Sequence, residues 1–189
     1  MKQKVINALM FKIGWLGVVF LGSGTLHWTA PILVTMIVGF HLIMCRNPKI
    51  ELKLILVAVL MGALWESFIA SQGLVIYAHG QPGTYLAPAW IVAMWALLAT
   101  TLNVNLAWMR GRPFLTILFG AIGGPCAFLA GEKLGAVTFP DPLLTLIVLA
   151  LGWSALMLAL VSTARNFDGY NATSEPIRSA VPNEVQYEN

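Results

Sequence analysis

Glu66 is the residue whose position most demands a chemical explanation. It stands in the apolar run from Leu52 to Ser71, 14 residues beyond the start of that run. In a membrane-crossing helix this places it about 21 Å into a hydrocarbon layer of roughly 30 Å, in the outer half. An ionisable group at such depth costs about 2.5 to 3.5 kcal/mol on insertion scales, so it needs a partner or a task. Two readings stand side by side: a protonated or paired structural carboxyl, and a carboxyl that couples protons, catalyses or binds a headgroup. Glu132 lies beside Lys133 near the outer end of a later run, His27 closes the outer end of an earlier one, and His79 stands in the longest loop. Carboxylates and imidazoles are the usual acid-base groups, so Glu66, Glu132 and His27 would serve an intramembrane enzyme if they met. His79 and Asp141 could join them on the same side. No local spacing among these residues resembles a metal motif, so neither a metal nor a cofactor is expected. On the inner side Lys12, His41, Asn103 and Asn105 lie at similar depths, as a structural polar network or as an anion or headgroup site.

The elements that must position these groups follow from composition. The chain has 189 residues, 58% hydrophobic and only 10% charged, with a mean hydropathy of +0.78. A soluble globular protein would carry about a quarter charged residues. Apolar runs at about 5–22, 25–45, 52–71, 86–109, 114–136 and 143–164 predict an all-α membrane protein, a six-helix transmembrane bundle over 1–164. Residues 165–189 have few large apolar side chains and are expected to form a disordered cytoplasmic tail. No room is left for a folded soluble domain, so any chemistry sits in or against the bilayer.

The net charge is +3 and the pI about 9.0, which in a soluble protein would suggest nucleic acid as a partner. Topology explains it better. With the N-terminus cytoplasmic, ten of the eleven Lys and Arg residues fall in or beside inner segments, Lys133 being the exception. Both termini are therefore expected inside. The basic start followed by an apolar run resembles a signal peptide, but Lys12 interrupts that run and argues against cleavage.

Small residues mark the helix contacts. Ala89, Ala93, Ala96, Thr100, Asn103 and Ala107 form a stripe on span four, where Asn103 could hydrogen-bond across a seam. Span five carries Gly120, Gly124, Gly131 and Gly135 on one face, with Pro125 freeing a backbone carbonyl near its middle. Spans four and five are thus the expected packed centre, with a proline hinge beside a ligand path as the sharper reading. Cys45 and Cys126 read as small packing residues. Phosphoryl transfer, nucleotide-bound redox chemistry and zinc proteolysis lack their usual motifs.

Four segments carry a resemblance: FKIGWLGVVFLG at 11–22, LMGALWESFIASQGLVIYAHG at 60–80, LAPAWIVAMWALLATTLNVNLAWMRGRP at 86–113 and GAIGGPCAFLAGEKLGAV at 120–137. They resemble the bacterial inner-membrane family catalogued as domain of unknown function 2878. The resemblance implies a small polytopic protein of Gram-negative bacteria without an established activity. The acid at Glu66 fits the family pattern, whereas Lys12 replaces a usual glutamine and the polar residue beside Asn103 varies. Members resemble one another in lying beside genes for fatty-acid-modifying enzymes of the cyclopropane-synthase type. The expected function is accordingly a non-catalytic, lipid-handling or lipid-modification accessory factor in envelope stress, with membrane lipids and lipid-modifying enzymes as partners and no nucleic acid. The alternatives are a small proton-coupled transporter using Glu66 and the intramembrane enzyme described above.

Overall fold

The computed structural model describes residues 2–171. Among them the chain forms six α-helices: α1 (Lys2–Gly22), α2 (Ala30–Met44), α3 (Pro48–Ser71), α4 (Ala89–Leu102), α5 (Pro113–Lys133) and α6 (Pro142–Asn166). Prolines in the first turn of α2, α3, α5 and α6 start helices where a missing N–H costs nothing. Asn47 and Asp141 add side-chain caps on Ile50 N and Leu144 N. Five helical segments are long and apolar enough to cross a membrane, α2 counting with the short turn before it. Their outer faces are apolar too: Leu52, Leu56, Leu60, Leu64 and Phe68 recur every fourth residue of α3 and are all exposed. Such a surface is stable against lipid and not against water.

The sixth helix differs from the span read between 86 and 109. α4 has 14 residues, about 21 Å, too short to cross a hydrocarbon core alone. Pro88 holds the entry extended, and after Leu102 the chain turns, with Thr101 O accepting from the backbone N of Val104, Asn105 and Leu106. Irregular backbone at this depth is tolerated because it is buried in protein. Nine of the 14 residues of α4 are buried, against five of 21 in α1, so α4 is the centre of the bundle. It packs on α1, α2 and α3.

The centre is not shared with α5. That helix packs chiefly on α6, where Gly120 and Gly124 admit the backbone and ring of Trp153 so closely that a Cβ at either would collide. Pro125 is buried within α5. Gly135 is not part of the helical face; it follows the helix with φ +75°, where glycine relieves the left-handed strain. A two-residue antiparallel pair, β1 (Ile76–Tyr77) on β2 (Val137–Thr138), clips the long α3–α4 loop to the α5–α6 connection. Thr145 Oγ1 donates to Leu74 O at 2.9 Å and adds to the clip.

Residues 165–171 of the expected tail are folded. α6 runs to Asn166, and residues 167–171 fold back over the start of α3, because Gly169 can lie directly on its first turn. Its N–H and C=O are both used there, on Glu51 Oε2 at 3.1 Å and Asn47 N at 2.8 Å. The rest of the expected disordered tail, 172–189, lies outside the described residues.

Candidate functional site

Glu66 is fully buried. Trp95 Nε1 on α4 donates to its Oε1 at 2.9 Å, and the Tyr77 hydroxyl donates to Oε2 at 2.6 Å. The donors are not equivalent: an indole N–H can only donate, whereas a phenol can reverse and accept from a protonated carboxyl. The pair is built by two local features. Gly62, one turn before Glu66, leaves space for the Trp95 indole, which a Cβ there would strike. The β1–β2 clip turns Tyr77 inward, where it packs edge-on against Trp90 at 5.7 Å. Burial, and then the Glu66 carboxylate, hold the Tyr77 hydroxyl well above its ordinary pKa, so it stays protonated. The same loop carries a second tyrosine, Tyr85. Only Tyr85 is exposed, because strand pairing in a loop long in sequence decides which tyrosine faces in.

Glu66 borders a cleft of about 410 Å³. Its walls come from α1, α4, α5 and α6 and are largely apolar, with Trp15, Phe11, Leu98, Phe128 and Trp153 among them. Lys12, Thr101 and Asn105 are polar residues bordering it toward the inner side. α1 and α5 both line the cleft, and neither is a main packing partner of the other. The glycine face of α5 therefore has two uses: Gly120 and Gly124 admit Trp153, and Gly123 opens onto cleft space that a Cβ would enter at ordinary contact distance. Trp153 stacks on Trp95 at 4.8 Å, and its own indole N–H has no acceptor among the described residues.

The other outer candidates keep separate partners. His27 stacks on His79 with ring centroids 6.2 Å apart. Trp90 Nε1 donates to His79 O at 3.0 Å, which connects that loop to Tyr77 through the Trp90 ring. Glu132 accepts from Phe139 N at 3.4 Å, and Asp141 caps α6. Among the described residues Glu66, Glu132 and His27 share no hydrogen bond.

The inner candidates divide as well. Asn105 Nδ2 donates to Asn7 Oδ1 at 2.6 Å, and Asn7 in turn donates to Thr100 O at 3.0 Å. Lys12 is exposed at the cleft. His41 and Asn103 instead meet on Glu51, a residue the sequence left among polar residues ahead of span three. Glu51 is fully buried, with His41 Nε2 3.0 Å from Oε1 and Asn103 Nδ2 donating to Oε2 at 2.7 Å. Arg110 holds Asn103 Oδ1 from the far side and reaches Asp168 Oδ2 at 2.7 Å and Ala164 O at 3.2 Å. Desolvation would raise the Asp168 pKa, but hydrogen bonds from Asn171 and Arg110 outweigh it and hold the carboxyl below its usual range. Tyr170 stacks on His41 at 5.5 Å, its pKa raised by burial and by nearby Cys45 and Glu51. Burial, then Glu51 and Asp168, push the Cys45 thiol up to about 12. A helix-start signal was available for Glu51, since Asn47-Pro48 opens α3 and an acid in the first turn suits the helix dipole. Nothing local signalled that the site would be buried.

The family model described as Protein of unknown function (DUF2878) matches residues 4–159. The chain belongs to this family. No curated protein and no solved structure is significantly similar to it. Membership of the DUF2878 family covers all of the cleft-lining residues and Glu51, and leaves out the strap at 167–171.

Proposed function

We propose that this chain is a bacterial inner-membrane protein, both termini cytoplasmic, that binds the acyl chain of a lipid in the cleft between α1/α4 and α5/α6 and acts as an accessory to lipid handling. The observation that carries the reading is the cleft itself: about 410 Å³, walled by aliphatic and aromatic side chains, reaching from Lys12 to Glu66. Sites for small apolar ligands have this volume and this sparse set of polar groups. Glu66 and the Trp153 indole supply polar groups at one part of the wall, and Lys12 a cation at another. The charge bias described above supports the orientation.

The test is mass spectrometry of lipid extracts from a deletion strain complemented with wild type, Gly123→Leu or Glu66→Gln. Gly123→Leu fills cleft space without striking a neighbour's backbone. Restoration by wild type and failure by Gly123→Leu is the expected result. A lipid profile that deletion leaves unchanged, under normal and oxidative growth alike, removes the reading. The proton-coupled alternative is favoured by one feature, the reversible Tyr77 hydroxyl on Glu66. It predicts proton-linked flux in proteoliposomes that Glu66→Gln abolishes, with no change in lipids.

A further inference from the structure

We propose that the α2–α3 turn is a site for one divalent ion of the zinc class, held by His41, Cys45 and Glu51 with the Tyr170 ring stacked on His41. His41 and Cys45 are four residues apart at the end of α2, so both side chains fall on one face. The chain reverses through Arg46-Asn47 and presents Glu51 from the first turn of α3. One ligand atom from each of the three lies within 4.8 Å of the others. In a tetrahedral zinc site with bonds of about 2.0 to 2.3 Å, neighbouring donor atoms stand roughly 3.3 to 3.6 Å apart. Small side-chain rotations therefore close the trio onto an ion.

The donor chemistry selects the metal. Imidazole nitrogen, thiolate sulfur and carboxylate oxygen together suit a borderline ion and not magnesium or calcium, which prefer oxygen alone. The carboxylate is already held: Oε2 takes Asn103 Nδ2 at 2.7 Å and Gly169 N at 3.1 Å, leaving Oε1 toward His41. Ligating carboxylates in metal sites are supported in this way. Tyr170 provides an independent observation. Its ring lies on His41, and its hydroxyl is buried without a hydrogen-bond partner among the described residues. A buried polar atom left unused on a ring that stacks against a ligand is explained if an ion-bound water reaches it. Binding forms the metal–sulfur bond as the Cys45 thiol proton leaves to water, and frees His41 Nε2 from Glu51 to become a ligand. The ion would pin the strap at 167–171 to the hairpin. None of this depends on what the cleft binds.

Cobalt is the probe. The full-length protein in detergent is stripped with EDTA, dialysed and titrated with Co²⁺. The expected result is a thiolate-to-cobalt charge-transfer band saturating at one equivalent, bleached by Zn²⁺, kept by Cys126→Ser and lost in Cys45→Ser. Metal-free melting of Cys45→Ser, compared with metal-free wild type, establishes that the variant is folded; should it fail to fold, His41→Gln takes its place. Added Zn²⁺ should raise the Tm of wild type and leave that of the variant unchanged. Absence of the band in wild type, its survival in Cys45→Ser, or its loss in Cys126→Ser overturns the proposal.

Discussion

Two glutamates on one helix are both fully buried, yet their surroundings have little in common. Glu51 and Glu66 stand 15 residues apart on α3, about 22 Å along its axis. Glu51 is enclosed by a histidine, an asparagine and a backbone N–H, with a strap of chain folded over it. Glu66 is held by two aromatic donors and borders an open cleft. The difference follows from position. At the helix start, the hairpin and the end of α6 bring polar backbone within reach. Deep in the membrane layer, donors must come from side chains that are otherwise apolar, and tyrosine and tryptophan are the residues that combine both. Glu51 is enclosed by polar groups from three parts of the chain, with room at most for an ion; the wall at Glu66 opens on a cleft that can take a larger apolar ligand.

The contrast can be broken most forcefully at Glu51. Replacing it by leucine strands His41, Asn103 and the Gly169 N–H, and removal of one partner from a buried charged network costs about 3 to 5 kcal/mol. Chemical unfolding in detergent should show that loss, and a variant as stable as wild type would mean that Glu51 is not the hub of the inner end. Gly62→Ala drives a methyl into the Trp95 indole. Overpacking of this kind costs about 1 to 3 kcal/mol, and displacement of Trp95 should appear as a shift in tryptophan fluorescence. Unchanged emission would separate Glu66 from its α4 donor.

Tyr77→Phe keeps the ring and removes one donor to the carboxylate. Hydrogen bonds to charged groups contribute about 1.5 to 3 kcal/mol, and the lower part of that range is expected because Trp95 remains. Glu66→Gln retains shape and an acceptor for Trp95, so its Tm should fall less than that of Tyr77→Phe while ligand binding in the cleft falls more. The reverse order would make Glu66 a structural acid like Glu51.

The smallest effect concerns acid. Asp168 has a folded pKa held below its ordinary value, near 3.9 in free peptides. Its contribution to docking the strap is therefore complete above that value and lost as pH falls through the lower folded value. Protection factors for hydrogen exchange at 167–171, corrected for the pH dependence of intrinsic exchange, should be constant between neutral pH and about 5 and fall only in stronger acid. A fall in protection nearer neutrality would place control at another group.

Composition and periodicity determined a great deal. Runs of uncharged residues with little to satisfy a backbone in lipid favour helices, so the six-helix plan was legible. The cost of an acid in an apolar run made Glu66 conspicuous, because that cost is local. Tertiary structure decided everything that required knowing a neighbour. Stripes of small residues look alike whether they face a helix or a cavity, and only packing showed that α5 uses its glycines on α6 and leaves a cleft toward α1 and α4. Tyr77 and Tyr85 are equivalent in a loop until β1 pairs with β2. Glu51 looks solvated among Lys49 and Lys53 until Gly169, 118 positions away, closes over it. Burial of a charge is a property of the surroundings, and those surroundings are assembled from residues that the linear chain keeps far apart.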